Sequence, residues 1–322
     1  MRVATRRAWH APGMAVGLEV VVVHHRTPDR LRETLLRLAL HAPASPVTVV
    51  DTAPDAGTWQ CLADAHPRLC WLAVANHSYA FAVHAGLKAT GAPLVAIMNA
   101  DVLIGPRTLG DLAAAFADPS VALAGPLART RAGRLQDQGL PYRRHHLRLR
   151  RRAAAVTTLE DAPPAWVPVP WLSGCLLVVR RSAMQRVGGM DPRFRFYNED
   201  LEWGHRVRAA GMRCALVASE VVHLGGDATP SDVRFLVEGL RGGLQLTRRH
   251  APPWLRWAHR QGLGVVAVAA GAWARGHAAR ATWREVRRRL AAGTFHESPF
   301  GTTLEDPNPA PARAPEEIDT AH

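Results

Sequence analysis

The stretch Leu18 to Val23 reads LEVVVV, a nearly unbroken apolar run of the kind expected of a parallel strand buried on both faces. Such a strand needs helices above and below it, and the next hundred residues supply them in alternation. Thr27-Pro28-Asp29 is a good helix start, and Leu31, Leu35 and Leu38 lie on one helical stripe behind it. Val47 to Val50 forms a second strand ending in Asp51, and Leu69 to Val74 a third. Ala80 to Ala89 reads as a helix, and Leu94 to Met98 as a fourth strand ending in Asn99-Ala100-Asp101. Leu109 to Phe116 is helical and Val121 to Ala124 a fifth strand. This order predicts an α/β fold with a doubly wound, mostly parallel sheet, whose ligands bind beyond the carboxyl ends of the strands. The polar residues at those ends are His24-His25, Asp51, Asn76 and Asp101. No GxGxxG turn follows the first strand, so no dinucleotide cofactor is expected.

The densest chemistry lies between Val187 and Gly226. Glu199-Asp200 stands where an apolar run (Phe194, Phe196, Tyr197) gives way to a helical pattern (Leu201, Val207, Ala210). A carboxylate at such a junction can be half-buried beside a cleft and accept a proton. His223 ends the strand-like segment Cys214 to Val222 and can face the same cleft. The plain alternative is a helix-capping acidic pair and an unrelated loop histidine. Asp101 is open in the same way. It can hold a divalent cation through hard oxygen ligands suited to Mg²⁺ or Mn²⁺, or it can simply cap the helix after Gly105-Pro106.

At 322 residues, 48% hydrophobic and 21% charged, the chain is long and apolar enough for one large globular domain with appendages. Cys61, Cys70, Cys175 and Cys214 show no CxxC spacing and read as thiols of a reducing cytoplasm. No secretory signal is expected, since Arg2, Arg6 and Arg7 precede no apolar core of sufficient length. The longest apolar stretch, Gly262 to Trp273, falls short of the roughly 18 residues a membrane span requires. The net charge of +13 is concentrated. Arg129 to Arg152 carries nine arginines against one Asp, and Trp254 to Arg289 interleaves Arg275, Arg280, Arg284, Arg287, Arg288 and Arg289 with four tryptophans. Basic residues mixed with Trp and Leu suit a helix on an anionic membrane surface, or else a solvated Arg-rich face. No nucleic-acid recognition motif accompanies them. The Pro-rich tail from Thr302 has the composition of a disordered segment.

Taken together, these segments resemble the inverting GT-A glycosyltransferases of family 2, particularly the bacterial rhamnosyltransferase-like branch that builds cell-wall and surface polysaccharides. The resemblance runs from about Leu18 to Gly226. VVDTAPDAGT keeps the Asp51 and Thr58 of the family's second-strand motif, with Asp55 one place early, and NHSYAFAVHAG keeps Asn76 and Gly86 of its third. NAD at Asn99 to Asp101 stands for the metal motif. GGMDPRFRFYNEDLEWGHR matches the last and most specific block. His25 and His84 stand where the family has Asn, Ser78 where it has Gly, Thr52 for Asn, Pro192 for Glu, Arg195 for Phe and Glu202 for Asp.

The resemblance implies a GT-A sheet with a Rossmann-like nucleotide-binding half, an acceptor half and C-terminal helices. It implies a metal-dependent transferase that moves a sugar with inversion from a nucleotide-sugar to a glycan or to a polyprenyl-diphosphate-linked acceptor. Asp200 would be the base and Glu199 would orient its loop. His24, Asp51, Asn76, Asn99, Asp101 and the Gly188-Gly189 pair would meet the donor, the glycines by letting backbone approach the sugar. Trp171, on a strand-like WLSGCLLVV, and Glu202 would meet the acceptor. Asp101 and His223 would hold Mg²⁺ or Mn²⁺. Ser78 and His84 would alter a loop near the donor nucleotide. The expected organisation is an extension over 1–17, the transferase domain over 18–230, a basic helical region over 231–300 and a tail over 301–322. The expected location is cytoplasmic, at the inner face of the membrane if the acceptor is lipid-linked. A relative that keeps the fold but only binds nucleotide-sugar or glycan is the competing reading.

Overall fold

The computed structural model describes residues 17–136, 165–225 and 233–301. The expected N-terminal extension, most of the first arginine run and the tail from Thr302 lie outside the described residues.

The chain opens with β1 (Leu18–His24), α1 (Pro28–His41), β2 (Val47–Asp51), α2 (Ala56–Leu62), β3 (Leu69–Ala73), α3 (Tyr79–Ala89) and β4 (Leu94–Asn99). The four strands lie in the order β3-β2-β1-β4, all parallel. The unbroken apolar run has its reason here. Val20 and Val22 enter the core on one face of the sheet, while Val21 enters the core on the other. Leu31, Leu35 and Leu38 of α1 cover the first face, and Val83 and Leu87 of α3 cover the second. A Cβ on Gly86 would lie 2.3 Å from Val21 Cγ1. Only glycine lets α3 press this closely on the central strand.

The second half comprises β5 (Val102–Leu103), α4 (Thr108–Ala114), β6 (Val121–Arg129), β7 (Trp166–Val169), β8 (Leu176–Arg180), α5 (Arg181–Val187), α6 (Glu199–Ala209) and β9 (Arg213–His223). The sheet continues β4-β8-β6-β9-β5, with β7 paired to β9. Between β4 and β6 lies β8, antiparallel to both. One expectation changes: the WLSGCLLVV segment does not form one strand, since pairing starts only at Leu176. Tyr79 Oη donates to Gly174 O at 2.8 Å, and Gly174 N donates to Asp200 Oδ2 at 3.0 Å. These bonds hold the Trp171–Gly174 backbone off the ladder and over the strand ends.

Helices α7 (Val233–His250), α8 (Pro253–Trp273) and α9 (His277–Ala292) close around a small core of Val237, Leu263, Ala267, Val286 and Phe295. Helix α7 grips the segment ahead of α6 by polar contacts. Arg241 Nη2 donates to Arg193 O at 3.0 Å, Arg195 N to Glu238 Oε1 at 3.2 Å and Asn198 Nδ2 to Gly239 O at 3.0 Å. Among the described residues, no helix is long and apolar enough to cross a membrane.

Candidate active site

Parallel pairing carries the polar strand ends to one edge. His24 and Asp51 are register partners on β1 and β2, and Asn99 pairs with Val23 on the other side of β1. His24 is buried, with Nδ1 3.1 Å from Asp51 Oδ1, at an angle too oblique for a good hydrogen bond. Its Nε2 accepts from Thr27 N at 3.0 Å, which assigns the ring proton to Nδ1, on the Asp51 side. Ala53 N also donates to Asp51 Oδ1, at 3.0 Å. Two of the departures interlock beside this pair: Thr52 Oγ1 donates to His24 O, and His25 Nδ1 lies 2.9 Å from the same hydroxyl. Asn76 is exposed after β3, its carbonyl accepting from Arg195 Nη2 at 2.9 Å.

Asp101 and His223 are far apart in sequence and meet through β-pairing. Two-residue β5 runs antiparallel to the end of β9 with Val102 opposite His223, and Leu224 N donates to Asp101 O at 2.9 Å. The side chains converge, with His223 Nε2 3.3 Å from Asp101 Oδ1. Gln136 fixes the ring: its Oε1 lies 2.8 Å from His223 Nδ1 while its Nε2 donates to His223 O at 3.1 Å. With the amide nitrogen committed, the amide oxygen accepts from Nδ1–H and leaves the Nε2 lone pair aimed at a carboxylate. A proton or a cation between them relieves that repulsion. The donor set, one hard oxygen and one imidazole, suits Mn²⁺ and tolerates Mg²⁺. Among the described residues no third His, Cys, Asp or Glu joins them.

His223 also lines an open cleft of about 640 Å³ with Trp171, Ser173, Tyr197, Glu199 and Asp200. Glu199 and Asp200 are the first two residues of α6, which starts at Asn198 in a left-handed conformation (φ 70°). Their environments separate them. Asp200 accepts from Gly174 N at 3.0 Å and Leu201 N at 2.8 Å, bonds that favour its ionised form. Glu199 Oε2 is buried with no hydrogen-bond partner. Burial raises the pKa of both carboxyls, and the Asp200 charge raises Glu199 further. The two N–H bonds to Asp200, set against the unpartnered Glu199 Oε2, bias the pair toward a protonated Glu199 beside an ionised Asp200. Tyr79, which holds the Trp171 loop, has its phenol pushed up by burial and then by the charges of Glu199, Cys175, Asp200 and Asp101. One buried phenol thus lies within electrostatic reach of both Asp200 and Asp101.

Other expected residues lie elsewhere. Gly188 is exposed and Gly189 half-buried, and their carbonyls are held from α6: Trp203 Nε1 donates to Gly188 O at 2.9 Å and Arg206 Nη2 to Gly189 O at 2.6 Å. A Cβ on Gly189 would lie 2.5 Å from His84 Nε2, and Gly188 has φ 78°. Close packing on His84 and a left-handed turn account for glycine at these two positions. Glu202 is fully buried and pairs with Arg206 at 2.8 Å and His250 at 3.2 Å, tying α6 to α7. It cannot reach an acceptor. His84 faces Gly189 from within α3, and Ser78 caps α3 by accepting from Phe81 N at 3.0 Å. Both substitutions are local packing and capping choices. Gln136, Tyr79, Ser173 and Tyr197 were not anticipated, because their placement depends on contacts between segments remote in sequence.

The raised Glu199 pKa sets a pH dependence of stability. A carboxyl lifted from its ordinary 4.5 to about 8 binds more protons folded than unfolded between those values, so stability falls as pH rises through that window. Glu199→Gln mimics the protonated form and removes the penalty. Thermal unfolding at pH 5 and pH 8.5 should show the variant gaining on wild type by on the order of 1–3 kcal/mol at the higher pH. Parallel pH profiles of the two proteins would refute a buried, protonated Glu199.

Residues 15–241 match the model of glycosyltransferase-like family 2. The chain is 31% identical over 279 residues, 77% of its own length and 91% of the relative's, to N-acetylglucosaminyl-diphospho-decaprenol L-rhamnosyltransferase of Mycobacterium tuberculosis, in strain H37Rv and in strain CDC 1551. In fold it is similar to the mannosyltransferase PcManGT from Pyrobaculum calidifontis in complex with GDP-Man and Mn²⁺, with TM-score 0.56 and 18% identity. That match covers 88% of this chain and 85% of the other. It is also similar to GalNAc-T7 with UDP, GalNAc and Mn²⁺, with TM-score 0.57 and 13% identity, covering 88% of this chain and 58% of that one.

Proposed function

The chain belongs to glycosyltransferase family 2, and from that premise we propose that it transfers L-rhamnose from a nucleotide-sugar to N-acetylglucosaminyl-diphospho-polyprenol, with inversion, in cell-wall synthesis. The observation that carries this reading is one cleft holding both Asp200, at the start of α6, and His223, itself 3.3 Å from Asp101. An inverting transfer needs that pairing, with a base on the acceptor side and charge-neutralising ligands on the diphosphate side.

Asp200 accepts the proton of the acceptor hydroxyl as that oxygen attacks the anomeric carbon. The bond from the anomeric carbon to the diphosphate oxygen breaks on the opposite face, and the nucleoside diphosphate leaves with the bonding pair. A single displacement inverts the centre and requires no nucleophile from the protein. Glu199 stays protonated and leaves Asp200 the only charged carboxyl at that wall. Asp101 and His223 would hold Mg²⁺ or Mn²⁺, which neutralises charge developing on the leaving diphosphate. Gln136 keeps His223 Nε2 turned inward. His24, Asp51, Asn76 and Asn99 edge the donor nucleotide, and Trp171 offers a flat apolar wall to an acceptor sugar. Residues 18–230 constitute the transferase domain and 231–300 a basic helical region. The enzyme works at the inner membrane face, where its acceptor is anchored. That Asp200 lines one cleft with His223, itself beside Asp101, supports catalysis over mere binding.

The test is transfer itself. Purified protein with Mn²⁺, a panel of nucleotide-sugars and a short-chain N-acetylglucosaminyl-diphospho-polyprenol should yield a disaccharide lipid from the nucleotide-rhamnose donor alone. Its anomeric configuration should be opposite to the donor's. Transfer of a different sugar would replace rhamnose, and nucleotide-sugar binding without transfer would return the protein to the binding-only reading.

A further inference from the structure

Helix α8 presents a face that the protein itself does not cover. Leu263 and Ala267 turn inward to the helical core, while positions 254, 257, 261, 265, 268 and 272 step by three and four along the opposite side. That stripe reads Trp, Trp, Gln, Val, Val, Ala. Trp254 is 68% exposed, Trp257 67%, Val265 69% and Val268 57%, and Trp273 at the far end is 86% exposed. Water is a poor partner for such a face, which is continuous rather than scattered.

Charge identifies the occupant. Helix α8 contains no Asp or Glu. Alongside it, α9 exposes Arg280, Arg284 and Arg287 one turn apart, and the Arg287 guanidinium lies 3.9 Å from the Cβ position of Gly271 on α8. Glu285 of the same helix is held by Arg288 and Arg289, each at 2.7 Å. An apolar stripe with tryptophans at both ends and arginines at its flank matches the apolar-to-headgroup boundary of an anionic bilayer. Helix α8 is too polar to cross a membrane.

We infer that α8 lies in the plane of an anionic membrane, its Trp254–Val268 stripe sunk below the headgroups and the α9 arginines on lipid phosphates. The inference deepens the proposed lipid-linked acceptor and rests on that reading for its purpose, whereas the binding rests on the helix face alone. The orientation of the cleft follows mechanically. Helix α7, packed against α8, is bonded to the segment that leads into Glu199-Asp200 through Arg241–Arg193, Arg195–Glu238 and Asn198–Gly239. A bilayer that captures α8 thereby sets the height of the catalytic wall above the lipid.

The experiment uses the full chain with vesicles of equal parts phosphatidylglycerol and phosphatidylcholine, without substrate. Wild type should co-sediment, its tryptophan emission should shift to the blue, and lipids brominated high on the acyl chain should quench it. Binding should weaken at high salt without vanishing, because insertion persists when charge attraction is screened. Val265→Glu with Val268→Glu should lower partitioning by about tenfold or more while leaving the melting temperature and the transfer rate on detergent-solubilised acceptor unchanged. If that pair fails to fold, Trp254→Ser with Trp257→Ser serves the same purpose. Unquenched wild-type emission, or a double variant that binds like wild type, would overturn the inference. So would a stable dimer that the Glu variants dissociate, since a second copy would then cover the face. Absent transfer in detergent by a wild type that still binds vesicles would instead count against the catalytic reading alone.

Discussion

Asp200→Asn should fold and bind nucleotide-sugar as wild type does, yet turn over about 10²- to 10⁴-fold more slowly. The amide preserves shape but has one acceptor oxygen where the carboxylate uses two, so it keeps the bond from Gly174 N or the bond from Leu201 N and gives up the other. What it loses is the capacity to take a proton from the acceptor hydroxyl. Glu199→Gln should keep most of the turnover at neutral pH, because Gln reproduces a carboxyl that already holds its proton. The contrast between adjacent residues is the discriminating result. Equal losses in the two variants would mean that the proton-accepting role is shared or misassigned. A normal rate for Asp200→Asn would place the base elsewhere in the cleft.

Asp101→Asn and His223→Ala should each weaken Mn²⁺-dependent donor binding by about 10²-fold and lower transfer at least as much. Gln136→Leu, which leaves both ligands in place but frees the imidazole, should cost about tenfold in Mn²⁺ affinity. Titration calorimetry with Mn²⁺ and nucleoside diphosphate separates these effects from turnover, and EDTA should abolish transfer by wild type. Donor binding indifferent to Mn²⁺ would remove the cation from this site. A Gln136→Leu protein with wild-type Mn²⁺ affinity would reduce Gln136 to a bystander.

The residues whose placement was legible in sequence share a property: each belongs to a local pattern. Asp51 and Asn99 end apolar runs that could only be buried strands, and Asp200 opens a helix behind an aromatic segment. The residues whose surroundings were not legible share the opposite property. Glu202 sits two positions from Asp200, yet on α6 that offset turns it away from the cleft onto Arg206 of its own helix and Arg249 and His250 of α7. At Gly189 the short distance that requires glycine is to His84, a residue more than a hundred positions away in the chain. Trp171 lies in a run of strand-forming residues, and backbone bonds to Tyr79 and Asp200 hold its loop out of the sheet.

The sequence by itself determined the parallel nucleotide-side half of the fold. A strand with no polar face, followed by an amphipathic helix, has one stable solution, and short connections carry its polar end to one edge of the sheet. Only the tertiary structure decided which polar residues meet. Asp101 reaches His223 because β5 pairs with the end of β9, Gln136 clamps the imidazole across that edge, and Glu199 is desolvated while Asp200 beside it is hydrogen-bonded. Those outcomes depend on distances between segments separated by tens to more than a hundred residues. Local hydrophobic periodicity carries no information about such distances, and side-chain packing settles them.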